Sequence, residues 1–433
     1  MLKLVRNCFG EKKLLKDNNN GIINYAFIEL LYELQSREGI HAASKLKKHY
    51  IEWKQQKMKV KLAAQTLSQS VADALDFCAN KLKLKEFQDC GPTINFIQLI
   101  DRSFDLLNSQ NFIGKNYKAP ISLSNLEHCT NFVNMVCQYL STLTDIADNL
   151  IYKTNQKTGF IGFMFSLQSV IQLSRYLILT PESQFKFLLT CKLSQNHIEM
   201  FFSAVRSQGG FNNNPSAKQF MTTYRRLLVH HSLQNIKTGN CLAQNATEIL
   251  SVTKGIVNHQ ECKLNDNDST VFIANENITP VSIMEPSQLS EYSEEVVKYI
   301  GGFVSRKLKR SIKCKACTAS LTDDNSQSLL VDQKSRGVLL HPSKDVIVIC
   351  SFVEKFIRHS IPDKSKIKEL QLFMESIPRL KLTLRRYLFS KAIFKGLTSH
   401  IQLTYVSSCV TIYIQGTQVR NKLTKLVLFK NQC

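Results

Sequence analysis

The chain has 433 residues, of which 43% are hydrophobic and 21% are charged, which leaves room for about two to four domains of roughly 150 residues. These proportions exclude a wholly disordered or fibrous chain and a small scaffold held together by disulfides. The 56 Lys and Arg exceed the 34 Asp and Glu by 22 charges, which favours polyanions and makes nucleic acid the expected partner class.

The cysteines indicate a reducing compartment. There are 13 of them, scattered along the chain with one close pair, Cys314 and Cys317, so no disulfide framework is indicated. The N-terminus turns polar too early for a secretory signal. The longest apolar stretch, 160–179, is interrupted by two glutamines and Arg175, which predicts a buried helix and no membrane span.

The first 150 residues show helical periodicity. Apolar residues recur at three- and four-residue steps from Met58 to Cys78, which predicts a helix with one apolar face. The segment 45–61, which leads into this helix, holds seven lysines and one glutamate. Such a run is typical of either a solvated helix face or a surface that binds an anionic ligand.

A further helical run is predicted from Ser183 to about Gln208, because two glycines follow it as a C-cap signal. The loop 212–215 then precedes a helix that restarts near Ser216. From 235 to about 290 the composition turns to Asn, Thr, Ser and Asp with little periodicity, which predicts a linker.

After the linker, apolar residues from Val297 to Ile312 form a helical stripe on an otherwise basic surface, a pattern that suits DNA or a protein partner equally. The segment 401–415 is rich in β-branched and aromatic residues, which predicts a strand. Sequence signatures of P-loop NTPases, Rossmann enzymes and zincins do not occur.

The segment 192–215 reads KLSQNHIEMFFSAVRSQGGFNNNP. It closely resembles the C-terminal part of the RNase H-like catalytic domain of P element transposases and the related THAP-domain transposases. Segments 56–68 and 117–122 resemble the helical insertion domain of this family, and segments 299–304 and 339–343 resemble its C-terminal region.

This resemblance implies a predominantly α-helical chain in four parts. We expect an all-α, GTP-binding insertion-like domain at 1–155 and the C-terminal helical part of an incomplete RNase H-like α/β fold at 156–240. A polar linker at 241–290 and a basic helical C-terminal region at 291–433 follow.

In such transposases three carboxylates hold two Mg²⁺ ions for in-line phosphoryl transfer. By resemblance Glu199 is the last of the three, on a helix; the alternative is an ordinary helix carboxylate paired with a lysine. Asn196 stands where relatives often carry Asp. The chain begins just after the position of the family's second catalytic Asp, so we expect both aspartates and the DNA-reading THAP domain to be missing.

One carboxylate cannot hold two hydrated Mg²⁺ ions, so we expect an incomplete magnesium site and no DNA cleavage by the chain alone. Two hypotheses remain open. The first is a truncated DNA transposase of the P element and THAP type, and the second is a domesticated, non-enzymatic module that binds nucleic acid or protein.

The resemblance also implies a GTP site. Phe104, Asp105 and Asn108 have the Phe-Asp-x-x-Asn spacing that reads guanine in this family, with Lys59 and Ser68 as phosphate contacts. A carboxylate can accept hydrogen bonds from the guanine N1–H and N2–H₂ groups while an aromatic ring stacks on the base. The alternative is an amphipathic helix with two exposed polar residues.

Cys314 and Cys317 have the near-ligand spacing of a zinc knuckle, with His341 and Cys350 as candidates for the other two positions. The alternative, reduced cysteines at the end of a basic helix, is favoured. The expected partners are DNA, GTP and a full-length transposase or a second copy of the chain. A nuclear location and no membrane association are expected.

Overall fold

The structure, a computed structural model, describes residues 1–229 except 182, 183, 209, 211 and 213, and residues 288–360 except 312–317, 324–326 and 338. Within these residues the chain is predominantly α-helical, as predicted, with two small antiparallel sheets. The described residues fall into two compact units. One contains residues up to 194 together with those from 288 to 360, and the other contains residues 195–229.

The first unit opens with helix α1 (Leu2–Lys12), the hairpin β1 (Leu14–Lys16) and β2 (Ile22–Asn24), and helix α2 (Ala26–Glu38). The side chain of Asp17 closes the hairpin, because its Oδ1 accepts hydrogen bonds from the backbone N–H groups of Asn19 and Gly21. This is the turn chemistry that favours Asp at such positions.

The helix predicted from Met58 to Cys78 is in fact broken. After the short α3 (Lys48–Ile51), the chain forms α4 (Val60–Thr66) and α5 (Gln69–Asp76), followed by the π-helical turn Phe77–Lys81. Ser68 adopts an extended conformation between α4 and α5 and bonds the carbonyl of Gln65 through its hydroxyl. A serine side chain that bonds nearby backbone competes with helix continuation.

The apolar pattern of this segment nevertheless predicts the core well. α4 packs against α1, and α5 packs against α2 and the long helix that begins at Gly91. The buried residues of the pattern are Leu62, Ala63, Leu67, Val71, Leu75 and Cys78. Met58, the first residue of the pattern, is 62% exposed.

The next elements are α6 (Gly91–Leu107), strand β3 (Ile121–Ser122), α7 (Leu126–Thr142), α8 (Thr158–Leu179) and strand β4 (Phe187–Leu188). Pro92 lies in the first turn of α6, where the missing N–H costs nothing. Strand β3 pairs with β4 in antiparallel register, Ile121 opposite Leu188.

Helix α8 buries one face and exposes the other. Phe160, Phe163 and Leu167 are buried, whereas Phe165 and Tyr176 are each 71% exposed, so the predicted buried helix is buried on one face only. Among the described helices, none is long and apolar enough to span a membrane.

The helical run predicted from Ser183 to Gln208 begins too early. Between 184 and 195 the chain forms β4 and the 3₁₀ turn Thr190–Leu193, and helix α9 starts only at Asn196 (Asn196–Gln208). Thr190 is held in place because its hydroxyl donates to the carbonyl of Leu106 and accepts from the backbone N–H of Ser109.

The second unit consists of α9 and α10 (Ala217–Val229). The predicted restart near Ser216 is confirmed, and Ser216 Oγ accepts from the backbone N–H of Gln219. Phe201 of α9 contacts Phe220 and Tyr224 of α10 edge-on, with ring centroids 6.5 and 6.0 Å apart. This aromatic cluster holds the two helices together.

The C-terminal part of the first unit contains α11 (Glu291–Ser311), α12 (Leu329–Lys334) and α13 (Lys344–Ser360). The predicted stripe on α11 is confirmed for Val297, Val304 and Leu308, which are buried, while Ile312 lies outside the described residues. Glu38 at the end of α2 accepts hydrogen bonds from Ser290 and Ser293.

Most of the predicted linker at 241–290 and the whole strand predicted at 401–415 lie outside the described residues.

Candidate nucleotide-binding site at the end of α6

The structure brings Phe104, Asp105 and Asn108 together at the C-terminal end of α6. Phe104 is half-buried and packs against the core. The side chain of Asp105 is 24% exposed. Asn108 caps the helix, with its backbone N–H bonded to the carbonyl of Asp105 at 3.2 Å and its side-chain oxygen accepting from Gln110. Their functional role stays a prediction.

A lysine faces the Asp105 carboxylate. Nζ of Lys118 lies 3.4 Å from Oδ2 of Asp105, and the lysine side chain is 68% exposed. Lys118 ends the 3₁₀ turn Asn116–Lys118, in which Tyr117 stacks on His128 of α7 with ring centroids 5.5 Å apart. This stacking fixes the turn that carries the lysine.

Gly114 is required for the same turn. A Cβ atom at this position would lie 2.1 Å from the carbonyl oxygen of Lys118. Only a residue without a side chain allows the backbone to approach this closely.

A second carboxylate, Asp101, lies one helical turn before Asp105. It accepts a hydrogen bond from the backbone N–H of Gln69, the first residue of α5. Burial, together with the negative charge of Asp105, raises the pKa of Asp101 to about 7. Burial also raises the pKa of Asp105, against the opposing charge of Lys118.

A third carboxylate, Asp73 of α5, is 4% exposed and is paired with Arg336 from the segment after α12. Nη2 of Arg336 lies 3.0 and 3.2 Å from the two carboxylate oxygens. Gln69 also donates to Asp73 through its side-chain amide, at 2.9 Å. The positive charge of Arg336 acts on both Asp101 and Asp105.

The two residues predicted to contact phosphate lie at helix starts. Ser68 is half-buried and directly precedes Gln69, whose backbone N–H bonds the Asp101 carboxylate. Lys59 is exposed and precedes the first residue of α4. Their contact with a phosphate stays a prediction.

Glu199 lies in the second unit, exposed in the first turn of α9. The part of the chain that the structure describes contains no group of three or more His, Cys, Asp or Glu side chains arranged to hold a metal ion. The described residues therefore do not fit a two-metal centre.

Cys314 and Cys317 lie outside the described residues. Of their proposed co-ligands, Cys350 is fully buried in α13. His341 lies with its Nε2 atom 3.2 Å from a carboxylate oxygen of Asp332.

The donors and acceptors at the end of α6 suit a guanine nucleotide. Asp105 offers the two acceptor oxygens that the N1–H and N2–H₂ edge needs, and cations stand close enough to balance its charge. The sequence analysis did not predict that Asp73, Asp101 and Arg336 would lie near this candidate site. Asp101 could have been found from its four-residue spacing to Asp105, which places both on one helix face.

Three segments of the chain match models of known protein families. Residues 1–120 match the TNP-like GTP-binding insertion domain, residues 191–225 match the TNP-like RNase H C-terminal domain, and residues 288–420 match the C-terminal domain of DNA transposase THAP9.

Two curated proteins are similar over most of the chain. Human DNA transposase THAP9 is 27% identical over 380 residues, covering 83% of this chain and 40% of the relative. The transposable element P transposase of Drosophila melanogaster is 24% identical over 363 residues, covering 79% of this chain and 43% of the relative. The chain thus spans about two fifths of the length of these relatives.

Among solved structures, the Drosophila P element transposase strand transfer complex matches with a TM-score of 0.43 and 22% sequence identity. This match covers 54% of this chain and 50% of the matched chain.

Proposed function

We propose that the chain, which is similar to human THAP9 and to the Drosophila P transposase, is transposase-derived and binds guanine nucleotide and DNA in the nucleus. The observation that supports nucleotide binding most directly is the placement of Asp105. Its partly buried carboxylate lies at the end of α6, inside the segment that matches a GTP-binding insertion domain, with Lys118 facing it.

Guanine is the base that this carboxylate selects. An ionised Asp105 accepts from N1–H and N2–H₂ of guanine, whereas adenine presents a lone pair at N1. Leaving a buried polar group without a partner typically costs ~1–3 kcal/mol. Phe104, half-buried beside Asp105, supplies an apolar ring for the base, and Asn108 supplies an amide at the same helix end.

Binding requires Lys118 to give up its position beside Asp105. The lysine is mostly exposed and its contact with the carboxylate is 3.4 Å, so this exchange costs little. Lys59 and Ser68 then serve the phosphates, together with the released amine of Lys118.

DNA binding follows from charge. The net charge of +22 is distributed over the chain, and within 45–61 the exposed lysines include Lys54, Lys57 and Lys61. Such a surface binds the phosphate backbone with little sequence preference.

We propose that the chain does not cleave DNA by itself. Glu199 is the one residue that the resemblance assigns to the catalytic carboxylates, and a two-metal reaction needs several oxygen ligands around each ion. A domesticated, non-enzymatic interaction module is the alternative function, and it shares the same prediction for cleavage.

A nucleotide titration tests the proposal. The full chain is titrated with GTP by calorimetry, beside Asp105→Ala and the control Glu86→Ala, which changes an exposed acidic residue in the 3₁₀ turn Lys85–Phe87. We expect GTP binding by the wild type and the control, and a loss of about ten-fold or more in Asp105→Ala. Equal GTP affinity in all three proteins would refute the assignment of Asp105.

A further inference from the structure

The segment after α12 is anchored to the helices of the nucleotide site. Lys334, the last residue of α12, is 8% exposed, and its amine donates to the carbonyl of Ala42 at 2.8 Å and to the hydroxyl of Ser70 at 3.1 Å. Gln333 donates to the carboxylate of Asp76 at the end of α5. These contacts hold the C-terminal region against α5 and against the backbone at Ala42.

Arg336 follows two residues after this anchor and reaches the site through a chain of hydrogen bonds. Its guanidinium holds both oxygens of Asp73. The side chain of Gln69 holds the same carboxylate, while the backbone N–H of Gln69 holds Asp101. Asp101 in turn lies one helical turn from Asp105, so the contacts run from Arg336 to the base-reading end of α6.

Arg336 contributes to the charge balance of the carboxylates on α5 and α6. Asp101 and Asp105 lie one helical turn apart on α6, and Asp73 of α5 is linked to Asp101 through Gln69. The cations whose charges act on these carboxylates are Lys118, Arg336 and the buried Lys334, which acts on Asp73. Lys118 has to leave Asp105 when a base binds there. Arg336 keeps its place on Asp73 and remains as compensating charge.

We propose that Arg336 is a positioning residue of the nucleotide site, which fixes Asp73, Gln69 and Asp101 and keeps Asp105 ready to accept guanine. This inference rests on the proposed nucleotide function. It adds that a residue of the C-terminal region completes a site in the insertion-like domain, so nucleotide binding and docking of that region support each other reciprocally.

The direction in which GTP affinity changes with pH follows from the charges around Asp105. Arg336 lowers the pKa of Asp105 and Asp101, against burial, which raises both. Guanine binding needs ionised Asp105, so affinity is present above the pKa of this carboxyl and is lost as pH falls through it. Without Arg336 that pKa rises, and the loss moves to higher pH.

The test measures GTP affinity of the full chain against pH for the wild type, Arg336→Ala, Arg336→Lys and Arg358→Ala. Arg358 holds Glu38 and Ser293 and so docks the same C-terminal region away from the site. We expect Arg336→Ala to move the pH of half-maximal affinity upward, Arg336→Lys to restore most of the profile, and Arg358→Ala to keep the wild-type profile.

If GTP affinity depends on pH in Arg336→Ala as it does in the wild type, the inference is wrong. If Arg358→Ala shifts the pH dependence as much as Arg336→Ala does, the inference is also wrong, because Arg336 would then act only by docking the C-terminal region. Both outcomes leave GTP binding by the wild type intact. Absence of GTP binding by the wild type at every pH would instead overturn the proposed function and the inference with it.

Discussion

Lys118 and Asp105 form an ion pair across the end of α6, with Nζ 3.4 Å from Oδ2. The pair joins a residue that the sequence assigned to base recognition with one that it did not assign to the site. Because Asp105 is the more buried partner, the lysine is the group that moves when a ligand takes the carboxylate.

The turn that carries Lys118 depends on Gly114. Gly114→Ala places a methyl group 2.1 Å from the Lys118 carbonyl oxygen, so the backbone has to shift. We expect a loss of about 1–3 kcal/mol in the free energy of unfolding and weaker GTP binding, measured by urea denaturation and calorimetry. Gly91→Ala is the matched control, because its Cβ would meet nothing within 4 Å. Similar losses in both variants would contradict this account of the turn.

Burial of Lys334 makes stability depend on pH. Burial lowers the pKa of its amine from 10.5 to about 8 in the folded chain. Between these values the unfolded state binds more protons, so the contribution of Lys334 to stability rises as pH increases from about 8 to about 10.5.

Urea denaturation at pH 7.5 and 9.5 measures this effect. From pH 7.5 to 9.5, the free energy of unfolding of the wild type should increase by on the order of 2 kcal/mol more than that of Lys334→Met. The same pH dependence in both proteins would show that Lys334 is not the titrating group.

DNA binding should be electrostatic. We expect the full chain to bind double-stranded DNA of unrelated sequences with similar affinities. The logarithm of the binding constant should fall linearly with the logarithm of salt concentration, by about 0.9 for each phosphate contact. Fluorescence anisotropy with two unrelated duplexes measures both quantities. A flat salt dependence, or strong preference for one duplex, would argue against backbone binding.

Strand cleavage should be absent. With Mg²⁺ or Mn²⁺ we expect no nicking or joining of supercoiled DNA by the purified chain, since the resemblance assigns only Glu199 to the catalytic carboxylates and one carboxylate provides too few ligands. Glu199→Gln serves as the matched control. Metal-dependent nicking by the wild type that disappears in this variant would reveal a ligand set that includes Glu199.

The sequence predicts features that depend on local spacing. Phe104 and Asp105, which the family resemblance assigned together with Asn108, lie near Asn108 at one helix end because they precede it by four and three residues. The restart of a helix near Ser216 and the buried stripe of α11 follow from capping and periodicity in the same way.

The sequence-based predictions are wrong where contacts between residues distant in sequence, or hydrogen bonds from side chains to the backbone, determine the local structure. The predicted helix after Ser183 gives way to β4 because its residues pair with β3, far earlier in the chain. The helix from Met58 to Cys78 breaks where Ser68 bonds the backbone. The pairing of Arg336 with Asp73 joins residues so far apart in sequence that no local pattern contains it.

The central claim is that Asp105 reads guanine, and a ranking of three nucleotides tests it most directly. Calorimetry of the full chain with GTP, ITP and ATP measures separately what the N1–H and 2-amino hydrogen bonds to Asp105 contribute to affinity. ITP keeps N1–H but lacks the 2-amino group, whereas ATP lacks N1–H. We predict affinities in the order GTP, ITP, ATP, with a total difference of about ten-fold or more. Equal affinities for the three nucleotides, or no binding of any, would contradict the claim.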